Sequence, residues 1–322
     1  MASKTVTVVE PEVPLRYTET FFPLGFPVQI ETNRFKVLTI ARNGWGMLTP
    51  RYSREPLRIA LEIVDGFPGM LRDRPECRVV ESSLEITFNQ NNKVIVNLAD
   101  GVAQGRLDSA ILQNQASFQY YVLEAAVSSM ISTMHAVALH AACVDWNGSG
   151  VMLCGDSGVG KTSLAYACSV AGWGYLSDDA SYLLLNGSDR TVTGNSRQIR
   201  FRDAAIRLFP ELAGREITPR AVGKPSIEIE TNELGPIRCI ESTTVQHILF
   251  LNRSSESDPG LYPIKRQHVL DYFAKYLLLP TEADSRARLA LDRLINAQTY
   301  ELRYQRLDWA VKQMRSLVEA GR

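Results

Sequence analysis

Residues 155–162 read Gly155-Asp156-Ser157-Gly158-Val159-Gly160-Lys161-Thr162 and match the spacing G-x-x-x-x-G-K-[ST]. Glycines at these positions let the backbone turn tightly, so that several N–H groups can converge on one small concavity. Such a concavity suits phosphate oxygens. A lysine at position 161 can reach the outer phosphates of a polyphosphate, and the hydroxyl of Thr162 can hold Mg²⁺. Ser163 completes the segment expected to bind phosphate.

The flanks fit that reading. Gly150-Val151-Met152-Leu153-Cys154 predicts a short buried strand, and Lys161 to Ala171 predicts a helix with Leu164, Cys168 and Ala171 on one face. Strand, glycine-rich loop and helix is the order the chemistry needs, because a helix N-terminus carries a partial positive charge. The competing reading is a surface turn in which glycines and a lysine met by chance. It leaves both flanks unexplained.

The whole chain sets the bounds. Its 322 residues suggest two domains, and 45% hydrophobic residues suffice for a sizeable core. Lys+Arg and Asp+Glu both total 35, so nothing in the net charge points to a general nucleic-acid or membrane-surface binder. No apolar run approaches the roughly 20 residues of a membrane span, and Met1 to Leu15 has no signal-peptide core. The five cysteines, Cys77, Cys143, Cys154, Cys168 and Cys239, are widely spaced with no C-x-x-C pair. Reduced thiols in a cytoplasmic protein are expected.

Along the chain, 1 to about 16 read as an extended lead-in and Thr32 to Gly46 as a helix ending near Gly44. Leu57, Ile59, Leu61 and Ile63 alternate as in a strand. Leu84, Ile86 and Phe88 pair with Val94, Val96 and Leu98 across the turn Asn89–Asn92. Ser117 to Met134 predicts an amphipathic helix that Ser117 can cap. Ala136 to Trp146 predicts one apolar strand, which the turn Asn147-Gly148 folds back as a hairpin into the 150–154 strand. Later come strands at 181–185, 191–193, 245–251 and 300–304. Helices are expected at His268–Leu279, with Val269, Leu270, Phe273, Tyr276 and Leu277 on one side, from the capping box Thr281-x-x-Asp284 to Ile295, and over Leu307–Val318. A boundary near Asn114 divides 1–115 from 116–322. The first part serves recognition or regulation, or else packing and oligomerisation.

Chemistry-bearing residues gather around the loop. Asp178 and Asp179 follow a short apolar stretch after the predicted helix, where one carboxylate can hold Mg²⁺ and the other can take a proton. A lone Asp-Asp pair is otherwise a solvated turn. His140, between Leu139 and Ala141, reads on its own as a core histidine. His135, His247 and His268 also read as structural.

Taken together, the stretch from His140 to Gly148, the loop 155–162, and Gly174-Tyr175-Leu176-Ser177-Asp178-Asp179 resemble the C-terminal catalytic domain of HPr serine kinase/phosphorylase. That domain is itself similar to the core of phosphoenolpyruvate carboxykinase. The resemblance covers about 135–182. It implies an α/β fold, a mixed sheet around a P-loop, preceded by a smaller α+β domain. It implies ATP and Mg²⁺, with Lys161 on phosphate, Thr162 and Asp179 on the metal, Asp178 as base toward a serine hydroxyl, and His140 beside the transferred group. The acceptor would be a serine-containing protein, peptide or small molecule. Family members form hexamers, and the resemblance alone carries the expectation of a homo-oligomer. One departure is plain: the family's E-I-R-G-L-G-type signature is absent from Arg197-Gln198-Ile199-Arg200-Phe201-Arg202-Asp203, which speaks against the reverse, phosphorylase reaction. A nucleotide-gated binding module without phosphotransfer is the alternative. A carboxykinase-like reaction lacks an additional His/Lys metal constellation.

Overall fold

A computed structural model of the chain describes residues 11–66, 69–187, 189–218, 225–254, 258–276 and 285–321. Most of the lead-in, the expected helix beyond Tyr276 and the capping box at Thr281–Asp284 lie outside the described residues. The chain divides into two compact units, Met1–His135 and Ala136–Arg322. The division falls after the helical stretch 115–134, so that stretch belongs to the first unit and not, as a boundary near Asn114 expects, to the second. Each unit is mixed α/β. Among the described residues no helix is long and apolar enough to cross a membrane.

The first unit carries β1 (Tyr17–Phe21), β2 (Val28–Thr32), α1 (Phe35–Trp45), β3 (Leu57–Val64), β4 (Glu76–Val80), β5 (Ser83–Thr87), β6 (Lys93–Asn97) and β7 (Val102–Asp108). They form one sheet in the order β1-β2-β3-β7-β6-β5-β4, with β2, β3 and β7 parallel and the remaining pairs antiparallel. The alternation of Leu57, Ile59, Leu61 and Ile63 is real, and all four are buried. The β5–β6 hairpin forms as expected. The Asn89 carboxamide oxygen accepts from the N–H groups of Asn91 and Asn92, both at 2.9 Å, which closes the turn.

The following helix differs from expectation in two ways. It begins earlier, as α2 (Gln115–Phe118), and its cap is Asn114, whose side chain accepts from the Ser117 N–H at 3.0 Å. Ser117 is therefore the capped residue, not the cap. Its middle, Gln119–Glu124, widens into π-helical turns before α3 (Ala125–Met134).

The second unit carries the glycine loop. Its elements are β8 (Ala136–Leu139), β9 (Ala142–Trp146), β10 (Ser149–Cys154), α4 (Lys161–Val170), β11 (Gly174–Ser177), β12 (Ser181–Leu184), β13 (Thr191–Gly194), β14 (Gln198–Phe201), β15 (Ile227–Glu230), β16 (Arg238–Cys239), β17 (Ser242–Arg253), β18 (Gly260–Pro263), α5 (Arg266–Tyr276), α6 (Ser285–Leu294), β19 (Gln298–Tyr304) and α7 (Leu307–Ala320). Strand β17 is the spine of a mixed sheet. Its first residues pair antiparallel with β13, and the rest lies between β10 and β19, parallel to both. Strand β10 also pairs with β9 through the hairpin, with Asn147 and Gly148 both at positive φ (53° and 88°), as a tight two-residue turn requires.

Side chains leave the sheet alternately, so the apolar run of β10 serves two cores. Val151 and Leu153 pack with Leu164 and Cys168 of α4 and Ala310 and Met314 of α7. Met152 and Cys154 pack on the other face with Val269 and Phe273 of α5 and Leu291 of α6. Cys143, Cys154 and Cys168 are buried free thiols, as expected of small apolar groups. Ala171, expected on the inner face of α4, lies beyond the helix end and is exposed.

Candidate active site

The loop between β10 and α4 is shaped by its glycines. Gly155, Gly158 and Gly160 have φ of 138°, 92° and 106°, conformations that L side chains rarely adopt. A Cβ on Gly155 would meet Val159 at 2.9 Å, and one on Gly160 would meet the Tyr304 hydroxyl at 3.2 Å. Helix α4 starts directly after the loop, at Lys161. The N–H groups of its first turn have no acceptor within the helix, which makes this end suited to an anion.

Lys161 is buried, only 6% exposed, and its ammonium is folded over the loop. Nζ donates to the carbonyls of Gly155 at 2.7 Å and Asp156 at 3.3 Å, and lies 3.0 Å from Nε2 of His140. Burial lowers its pKa, with Asp179 pulling the other way.

His140 is not on a strand. The expected single strand over Ala136–Trp146 is two strands, β8 and β9, and His140 sits at the bend between them. The Ala141 N–H donates to the Leu139 carbonyl at 2.8 Å and tightens that bend. The break has a topological cause: β8 pairs with β12, whereas β9 pairs with β10 and β11, so the chain must change neighbours there. The bend turns the imidazole toward the loop, with Nδ1 3.5 Å from Asp179 Oδ1. Burial, and then the Lys161 charge, lower the His140 pKa. A neutral ring fits both neighbours, with the Nε2 lone pair facing the ammonium and Nδ1–H facing the carboxylate.

Asp178 and Asp179 follow β11 and differ sharply. Asp178 is buried; its Oδ2 accepts from the Arg200 N–H at 2.9 Å. Burial pushes its carboxyl up to about 6, against the opposing pull of that hydrogen bond. The Asp179 side chain is 55% exposed. A hydroxyl relay ties this turn to the histidine bend: Ser177 Oγ and Ser181 Oγ lie 2.7 Å apart, and Ser181 donates to the Ala141 carbonyl at 2.9 Å.

The structure therefore brings Lys161, His140 and Asp179 into one chain of contacts, with Asp178 beside it. Thr162 and Ser163 lie half-buried in the first turn of α4. Asp156, Ser157 and Gly158 are at the exposed rim of the loop, with Asp156 Oδ1 3.0 Å from Nζ of Lys275. Among the described residues no group of three or more His, Cys, Asp or Glu could hold a metal ion by itself. Mg²⁺ bound through one or two carboxylates, water and substrate phosphate needs no such cage. The hydroxyl of Thr162 and the exposed carboxylate of Asp179 are oxygen donors of the right kind.

Five contributing residues do not stand out in the sequence. The Arg200 backbone and the Ser177–Ser181 pair act from positions with no pattern of their own. Among the described side chains of α5, Val269, Tyr272 and Phe273 are buried and Leu270 packs half-buried beside them. The Tyr272 hydroxyl accepts from the Gly155 N–H at 3.0 Å and lies 2.7 Å from the His140 carbonyl and 3.0 Å from that of Gly155. It fastens the bend to the start of the loop. Lys275 lies one turn further on. Tyr272→Phe keeps the ring packing with Phe250 and Phe273, so it is expected to cost about 1–2 kcal/mol through the lost hydrogen bonds alone. Urea unfolding measures this.

No family model matches the chain, and no curated protein matches it. Among solved structures it is similar to the Hpr(Ser) kinase/phosphatase from Coxiella burnetii, at 12% identity and a TM-score of 0.29, over 57% of this chain and 95% of that one. The likeness is distant.

Proposed function

We propose that the chain is an ATP-dependent kinase acting on a serine-type hydroxyl. The observation that carries the reading is the imidazole of His140 set between the Lys161 ammonium and the Asp179 carboxylate, at the mouth of a glycine loop that opens onto a helix N-terminus. Three separate stretches of sequence meet there, and those of Lys161 and Asp179 supply groups of the kind phosphoryl transfer uses.

In this reading the N–H groups of residues 155–163 and the Lys161 ammonium hold the β- and γ-phosphates of ATP as substrate. Thr162 and Asp179 hold Mg²⁺, which neutralises phosphate charge when bound. Asp178 takes the proton of the attacking hydroxyl as its oxygen bonds to the γ-phosphorus and ADP leaves. A carboxyl raised to about 6 by burial is a better proton acceptor than an ordinary aspartate and is still ionised at neutral pH. His140, kept neutral, orients the lysine and the exposed aspartate. The buried-base, exposed-metal-ligand division follows the burial difference between the two neighbours.

Transfer of labelled γ-phosphate from MgATP to a panel of HPr, free serine and serine-ended peptides tests the proposal. Label on an acceptor is expected. Tight nucleotide binding with no label on any serine compound would overturn it in favour of a nucleotide-gated module.

A further inference from the structure

We propose that Lys275, on α5, is a second polyphosphate-binding cation, which leaves the Asp156 carboxylate for the ligand. The proposal rests on the nucleotide-binding reading above and deepens it. Three observations carry it.

The first is direction. Tyr272 and Lys275 are one helical turn apart and so share a face of α5. Tyr272 is fixed against Gly155 by its hydroxyl, which aims this face at the loop. Lys275 reaches the next loop residue, with Nζ 3.0 Å from Asp156 Oδ1.

The second is charge. Three carboxylates, those of Asp156, Asp178 and Asp179, lie on or beside the loop, while Lys161 is the lysine already folded into it. A polyphosphate entering such a site gains from a further cation. Lysine suits the role, being a compact point charge on a flexible stem.

The third is the ease of exchange. The Lys275 and Asp156 side chains are 61% and 72% exposed. Ion pairs this open contribute little to stability, so the pair opens readily when a more highly charged anion arrives. It places the ammonium at the loop rim in advance and keeps the carboxylate from facing the incoming phosphate alone.

Isothermal titration calorimetry on the full chain tests this with MgATP and, separately, inorganic tripolyphosphate. Lys275→Gln is expected to weaken MgATP about tenfold, the usual scale for one charge-assisted contact. Lys275→Arg should restore most of the affinity. Asp156→Asn should bind more tightly than wild type, and Asp156→Asn/Lys275→Gln should remain about tenfold weaker than Asp156→Asn alone. Unchanged binding in Lys275→Gln overturns the proposal. So does a double variant that binds as well as Asp156→Asn, because Lys275 would then only neutralise Asp156. Wild-type protein that binds tripolyphosphate but not MgATP overturns the nucleotide reading, while the same variants still decide Lys275. Binding of neither probe overturns both.

Discussion

Asp178→Asn is expected to abolish phosphoryl transfer and, at the same time, to stabilise the protein. Removing a general base costs about 10²–10⁴ in rate, and the carboxamide cannot take the hydroxyl proton. Nucleotide affinity should stay within about twofold, since the proposed phosphate contacts lie with the loop and Lys161. Stability moves the other way because Asp178 is buried and its carboxyl is raised from 3.8 to about 6. A raised carboxyl favours the folded state fully below its unfolded pKa, and that contribution is lost as pH rises through the folded value. Above pH 6 the wild type therefore holds a buried charge at a cost on the order of 2–3 kcal/mol. The substitution removes that charge, and the new amide oxygen can still accept from the Arg200 N–H. In nucleotide-free protein, urea unfolding should show the variant more stable than wild type at pH 8, with the difference shrinking toward zero near pH 4. Transfer at the wild-type rate would sink the base assignment, and a variant less stable at pH 8 would sink the burial argument.

This opposition between activity and stability marks where the site was legible and where it was not. Most of the local pattern around the loop could be read. The glycine loop, its strand, its helix and the Asn147-Gly148 hairpin all lie within 142–170, and each depends on backbone preferences that neighbouring residues declare. The alternation of Leu57 to Ile63 was equally plain, because one buried face imposes a period of two. Most of what could not be read depends on partners far along the chain. The apolar run from Ala136 to Trp146 hides a change of neighbouring strand, and so hid the bend that aims His140. Asp178 and Asp179 are the same residue type twice. It is the β14 backbone, arriving through Arg200, that meets the buried carboxylate of Asp178, while the carboxylate of Asp179 stays exposed. Tyr272 passes for one more aromatic on an apolar helix until its hydroxyl is seen against Gly155 and His140. Asn114 was overlooked as a cap because Ser117, the residue it caps, is itself a good capping type.

Lys161→Met separates binding from chemistry in the opposite sense to Asp178→Asn. The Lys161 ammonium is buried and donates to two loop carbonyls, so it is fixed over the glycine loop rather than sweeping through solvent. A bound phosphate would gain a charge-assisted contact in a site where water screens little, and loss of the charge is expected to weaken MgATP by about 100-fold or more. Arginine should not rescue it. The pocket beneath holds a single nitrogen between Gly155 O, Asp156 O and His140 Nε2, and a planar guanidinium cannot make those contacts from one point. Methionine fills a similar volume and removes the desolvation cost that lowers the Lys161 pKa, but it takes the donor away from Gly155 O, Asp156 O and His140 Nε2, so the nucleotide-free variant should fold with a loss of about 1–2 kcal/mol in urea unfolding. Calorimetry with MgATP then gives a two-way contrast. Asp178→Asn binds and does not transfer, whereas Lys161→Met does neither. Equal affinity in Lys161→Met and wild type would show that the glycine loop does not bind its phosphates through this lysine, and the kinase reading would fall with it.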